Sequence, residues 1–171
     1  DVESLNAYEN MMNAGKTVEE ALEVLRERSR DNARTPVQWD NTENSGFTTG
    51  KPWIKMGKMA DGINVEEDLK SEKSVFSYYK KLIKLRKEYD IIRDGNFTIL
   101  DEDSEDTFIY KRETDGEILY VICNLTDKAA GINREIMNNA ESGECLITNV
   151  KIPCENSMLK PYETCVWLIK K

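Results

Sequence analysis

The sequence predicts an α+β chain in two units, helices first and strands last. Three observations carry that reading. Apolar residues recur at helical spacing up to about position 28 and again over residues 75–88. From Asn96 onward the period changes to two. Helices followed by a run of short strands make two units, and the change falls between Tyr89 and Gly95.

Ser4 to Asn13 reads as a first helix, with Ser4 as its N-cap, Leu5, Tyr8, Met11 and Met12 on one face, and Gly15 ending it. Thr17-Val18-Glu19-Glu20 is a capping box, because the Thr17 hydroxyl can accept from the backbone at Glu20 while the Glu20 carboxylate reaches back. Ala21, Leu22, Val24 and Leu25 continue that helix toward Arg28. Residues 29–72 show no sustained period and are rich in Asn, Gly, Thr and Pro. A stretch of about 40 irregular residues points to a functional loop or to a segment packed on something else. Trp39, Phe47 and Trp53 lie in it, which a bare linker does not need. Ser74 can cap the next helix, Val75 to Glu88, whose lysines line the face opposite Val75, Tyr79, Leu82 and Ile83. Five short β-runs follow, at residues 97–100, 107–111, 118–124, 145–147 and 164–169. Thr114-Asp115-Gly116-Glu117 is the clearest hairpin turn among them.

Bulk properties set limits on function. Apolar residues make up 39% and charged residues 33%, the balance of a folded chain and not a disordered one. A formal charge of −8 argues against nucleic acid as a partner, since affinity for phosphates comes from clustered Lys and Arg. No apolar run approaches the roughly 20 residues needed to cross a bilayer, and the start lacks the order of a signal peptide. Because residue 1 is Asp and not Met, the chain is expected to have been cut from a longer one. All four cysteines fall in the last third without a C-x-x-C pair, and there is no histidine, so neither a metal site nor a cofactor is expected. Cys123 and Cys165 sit in apolar runs as small core residues, and a reducing, cytoplasmic home is the simpler expectation.

The chemistry-bearing candidates are few. Arg30 and Arg34, with Asp31 between them on an aromatic-rich loop, can bind a polar ligand, because a guanidinium fork pairs with carboxylates and shares donors with vicinal hydroxyls. The alternative is that both arginines anchor the loop through buried backbone carbonyls. The acidic run Asp101 to Asp106 lacks the spacing and glycine of a calcium loop and reads as a solvated hairpin. Without histidine there is no Ser-His-Asp arrangement, and no pair of carboxylates nominates itself as a catalytic couple across a cleft.

Two longer strings then carry a resemblance. Residues 29–40, Ser-Arg-Asp-Asn-Ala-Arg-Thr-Pro-Val-Gln-Trp-Asp, followed by Asn44-Ser45-Gly46-Phe47-Thr48-Thr49-Gly50-Lys51-Pro52-Trp53-Ile54, closely resemble the oligo-1,6-glucosidase branch of the α-amylase family of glycoside hydrolases. Asp1 to Asn6, Ile63 to Glu66, Tyr78 to Glu88 and Leu159 to Glu163 are similar to that branch in the same order. The resemblance is strongest through residue 88 and weakens to pattern over 89–158. It implies that residues 1–90 are the last helices and long loop of a (β/α)8 barrel, and that 91–171 are the antiparallel β-sandwich called domain C. The implied activity of the parent protein is retaining hydrolysis of terminal α-1,6 or α-1,4 glucosidic bonds in short oligosaccharides, by an Asp nucleophile, a Glu acid and a third Asp, all upstream of residue 1. This chain therefore carries no catalytic residue and alone is expected to hydrolyse nothing.

What the resemblance carries over is substrate binding. Arg30 matches an arginine that pairs with a carboxylate of an early barrel loop and holds the terminal glucose, Arg34 is a second rim candidate, and Asp31 is an orienting partner. Met56 to Gly62 departs from the branch's pattern. Trehalose-6-phosphate hydrolases share most of the loop motif, and a non-catalytic carbohydrate-binding or purely structural sandwich in 95–171 is the reading from another class; Trp167, in an apolar strand, speaks for core and against a sugar platform. Leu5, Leu22, Leu25, Phe76 and Leu82, stripped of the sheet they would cover, lead to an expectation of self-association.

Overall fold

A computed structural model of the chain describes residues 1–57 and 62–171. The described residues divide into two compact units, 1–77 and 78–171.

In the first unit, α1 (Val2–Asn13) packs against α2 (Val18–Arg28). The cap of α1 is Asp1, whose side chain accepts from Glu3 N, and not Ser4. Helix geometry already holds at residue 2, so the Ser4 hydroxyl falls inside the first turn and bonds to Asp1 Oδ2 at 3.1 Å instead. The capping box on α2 forms in both directions, with Thr17 N donating to Glu20 Oε2 at 2.8 Å and Glu20 N to Thr17 Oγ1 at 3.2 Å. Short 3-10 turns occupy Arg30–Ala33 and Glu43–Gly46, and α3 (Val65–Lys70) is capped by Asn64. Among the described residues, the segment without sustained period therefore holds one short helix and two 3-10 turns. Ala21 and Pro36 are the buried apolar side chains among the described residues of 1–77.

The helix α4 (Val75–Glu88) starts from the expected cap, Ser77 N donating to Ser74 Oγ at 3.1 Å, and a short α5 (Ile91–Asp94) follows. Then come β1 (Asn96–Ile99), β2 (Thr107–Glu113), β3 (Glu117–Asn124), β4 (Ala130–Gly131), α6 (Arg134–Glu141), β5 (Glu144–Thr148), β6 (Met158–Leu159) and β7 (Thr164–Lys170). Five strands make one antiparallel sheet in the order β1-β2-β3-β7-β5, and β4 with β6 makes a second, two-stranded sheet. The α+β reading holds, with helices first and an antiparallel sheet after them.

Alternation on β3 and β7 separates two cores. Tyr120 and Ile122 of β3 and Cys165 of β7 join Ile109, Ile132, Met137, Ala140, Cys154 and Leu159 on the face covered by α6, β4 and β6. Leu119 and Leu168 point the other way and pack with Ile91 of α5. Trp167 packs half-buried against the first cluster. Each fully buried Ile or Leu contributes about 1.5–3 kcal/mol of transfer free energy, so the sheet unit carries its own core. Gly143 lets β5 approach β7, since a Cβ there would sit 2.3 Å from Leu168 O.

A buried polar knot ties the strand ends. Glu163, fully buried, accepts from Cys154 N at 2.5 Å and Lys160 N at 2.7 Å, while its own carbonyl accepts from Asn124 N at 2.8 Å. The Asn124 amide in turn donates to Lys128 O and Lys160 O. The acidic β1–β2 loop is closed by Thr107 Oγ1 donating to Asp101 Oδ2 at 2.6 Å, as a solvated hairpin requires.

Candidate sugar-binding turn

The three candidate binding residues share the 3-10 turn after α2. Ser29 leaves the helix in an extended conformation (φ −64°, ψ 131°) and caps the turn, its hydroxyl accepting from Asp31 N at 3.4 Å. Consecutive side chains on such a turn diverge by about 120°. Arg30 and Asp31 therefore face different partners, and Asp31 lies on the side of Arg34, the residue it is expected to orient. Asp31 Oδ1 lies 3.7 Å from Arg34 Nη1, and its Oδ2 accepts from the amino-terminal nitrogen of Asp1 at 3.0 Å.

Arg30 turns to α1. Its Nη2 donates to Asp1 Oδ1 at 3.2 Å, and its Nε lies 3.3 Å from Glu3 Oε2. The two carboxylates differ in setting, Asp1's side chain being 3% exposed and Glu3's 71%. Arg30 itself is 53% exposed, so the guanidinium is held at one edge and open at the other. Its bonds among the described residues run to carboxylates and not to backbone carbonyls. Sequence reasoning missed Asp1. The available signal was an acceptor side chain directly before a helix, which also marks the N-cap.

The loop beyond the turn is built from short polar ties. Trp39 N donates to Ser45 O at 2.8 Å, Asn44 Nδ2 reaches both Thr48 O and Gly50 O at 3.1 Å, and Val65 N and Glu66 N donate to Gln38 O and Trp39 O at 2.9 Å. The Thr42 hydroxyl and N–H both donate to Asp40 and hold its carboxyl below the usual carboxylate range. Gly46, at φ +68°, is required there because a Cβ would meet the Asp40 carboxyl at 2.5 Å. Within the loop Trp39, Phe47 and Trp53 remain exposed, Trp53 at 81%. A cleft of about 290 Å³ is lined by Gln38, Ile63, Val65, Asp68, Leu69 and Phe76 among others, and none of Arg30, Asp31 or Arg34 lines it. Part of the Met56 to Gly62 departure, residues 58–61, lies outside the described residues. Among the described residues no three Cys, Asp or Glu side chains converge as metal ligands, and no helix is long and apolar enough to cross a membrane.

Comparison with known proteins gives this turn a context. The family model described as the α-amylase catalytic domain matches residues 3–95. The trehalose-6-phosphate hydrolase of Bacillus subtilis (strain 168) is 41% identical over 100% of this chain and 31% of its own length. The oligo-1,6-glucosidase of Bacillus cereus is 38% identical over 99% and 31%. Among solved structures, the trehalose-6-phosphate hydrolase of Bacillus licheniformis superposes with a TM-score of 0.87 at 40% identity, covering 100% of this chain and 32% of that one. The chain thus spans about a third of the length of the curated relatives it matches.

Proposed function

Because this chain belongs to the α-amylase family of glycoside hydrolases, we propose that it forms the carboxy-terminal third of a retaining α-glucosidase, with residues 1–90 closing a catalytic barrel and 91–171 forming the sandwich beside it. The catalytic-domain match over residues 3–95 supports that division.

The observation that carries the reading is the half-open guanidinium of Arg30. An arginine offers five N–H donors, and the carboxylates of Asp1 and Glu3 engage only one edge of the fork. The free edge is suited to vicinal hydroxyls of a terminal glucose, and closing the pocket there restricts cutting to chain ends. Arg34, paired with Asp31, forms the rim beside it. Chain outside residues 1–171 supplies the nucleophile and the general acid that cleave the bond through a glycosyl-enzyme intermediate.

Two substrates fit this role. A short α-1,6-linked oligosaccharide follows from the loop string, and trehalose-6-phosphate is favoured by the higher identity, 41% against 38%. Turnover of isomaltose and of trehalose-6-phosphate by the intact enzyme separates them. In that enzyme Arg30→Ala is expected to raise KM for p-nitrophenyl α-glucoside by about ten-fold or more, the loss of charge-assisted hydrogen bonds. Unchanged kinetics would remove Arg30 from the site. The 171-residue chain alone is expected to release no p-nitrophenol, and turnover surviving rigorous purification refutes the assignment of the acids to chain outside it.

A further inference from the structure

We propose that Asp1 is a positioning residue for Arg30, its buried carboxylate fixing the direction in which the guanidinium points, whereas Glu3, touching the same group, does not. The inference rests on the reading of Arg30 as a sugar-gripping side chain.

Asp1 and Arg30 are 29 residues apart in sequence and are brought together by the return of the chain along α1 and α2. The Asp1 carboxylate is spent on three partners at once: Arg30 Nη2, Glu3 N and Ser4 Oγ. Ser4 Oγ is also bonded to Ser29 Oγ at 2.9 Å, and Ser29 caps the turn that begins with Arg30. One network therefore fixes both the backbone from which Arg30 projects and the carboxylate its head group meets. With its side chain 3% exposed, Asp1 has little room to move and its rotamer is fixed by the cap bond, so its carboxylate meets the half-exposed Arg30 from a fixed direction. Glu3 is 71% exposed, and such a pair is weak, mobile and screened by salt. A guanidinium tethered by one buried anion keeps its remaining donors in a fixed plane, and this preorganisation lowers the ordering cost of gripping a sugar.

The test is steady-state kinetics of the intact enzyme on p-nitrophenyl α-glucoside. Asp1→Asn keeps the shape and the acceptor that caps α1 while removing the charge. It is expected to raise KM about ten-fold with kcat within about two-fold, because the lost interaction serves bound substrate and transition state alike. Glu3→Gln is expected to move KM less than two-fold. In an Arg30→Ala background, Asp1→Asn should add nothing, as a double-mutant cycle requires of a residue acting only through Arg30. If Arg30→Ala itself leaves KM unchanged, the sugar-gripping reading fails. If Arg30→Ala raises KM and Asp1→Asn does not, or if Asp1→Asn acts equally in both backgrounds, the positioning role is overturned. Should Asp1→Asn fail to fold, Asp1→Ser, whose hydroxyl also caps a helix but falls short of Arg30, is read by the same criteria.

Discussion

Glu163→Gln tests how the sheet unit is tied together. The substitution conserves shape, so no cavity opens, but one carboxylate oxygen becomes an NH2. Both oxygens of Glu163 accept a backbone N–H, from Cys154 at one end and Lys160 at the other. Whichever way the amide is placed, one of these N–H groups faces a donor with no water to replace it, because Glu163 is 0% exposed. A buried donor left unsatisfied costs about 1–3 kcal/mol, and hydrogen bonds to a charged acceptor lie at the upper end of that range. Neutralising a buried charge returns part of it. The net expectation is a destabilisation of about 2 kcal/mol. Urea unfolding followed by tryptophan fluorescence reads this directly, since a slope of about 1–3 kcal/mol/M for a unit of this size turns it into a midpoint lower by roughly 1 M. A midpoint within about 0.2 M of the parent protein, at unchanged slope, would refute the claim that the carboxylate holds both loops.

Three further outcomes follow from the same geometry. Glu113 is held at about pKa 2, against an ordinary value of 4.5, by hydrogen bonds first from Lys111 and then from Lys171. A depressed folded-state value means stability present above pH 4.5 and lost as pH falls toward 2, so Glu113→Gln should be less stable than the parent at neutral pH, with the gap closing between those values and narrowing in salt; an equal gap at pH 2 and 7 contradicts it. The Cys154 thiol is pushed well above its ordinary value by its bond to Cys165, 3.0 Å away, and by burial, so iodoacetamide at pH 8 should label it in the native protein far more slowly than in denaturant, and equal rates refute this. Exposed Leu5, Leu22, Phe76 and Leu82 underlie a proposal that the isolated chain self-associates; sedimentation should show a concentration-dependent mass that Leu22→Lys reduces, and a monomer at all concentrations disproves it.

Local chemistry was the legible part of this fold. The capping box at Thr17, the Ser74 cap, the turn at Thr114–Glu117 and the alternation on β3 all depend on residues within a few positions of one another. The helix α6 was not legible: its Arg-Glu-Ile-Met-Asn-Asn-Ala-Glu string is short, with two central asparagines, and it forms because Met137 and Ala140 are buried against the sheet. Asn64 with three acids in the following turn was a readable start for α3, obscured by the irregular residues on either side. At the candidate site the grouping of Arg30, Asp31 and Arg34 was visible, but their pairing was not. Arg30 meets Asp1 and Glu3 through tertiary return of the chain, and no periodicity reports that.

The position of β7 has a consequence for biosynthesis. It is the last strand in sequence, yet it lies between β3 and β5, and β5 has no other neighbour in its sheet. A nascent polypeptide that has not yet delivered β7 can form the β1-β2-β3 meander but cannot seat β5, whose backbone stays unpaired until residues 164–170 are made. A premature stop before Thr164 would therefore leave unpaired the edges of β3 and β5 that β7 covers, in addition to the outer edges of the open sheet, and such products should be cleared by proteolysis or lost to aggregation.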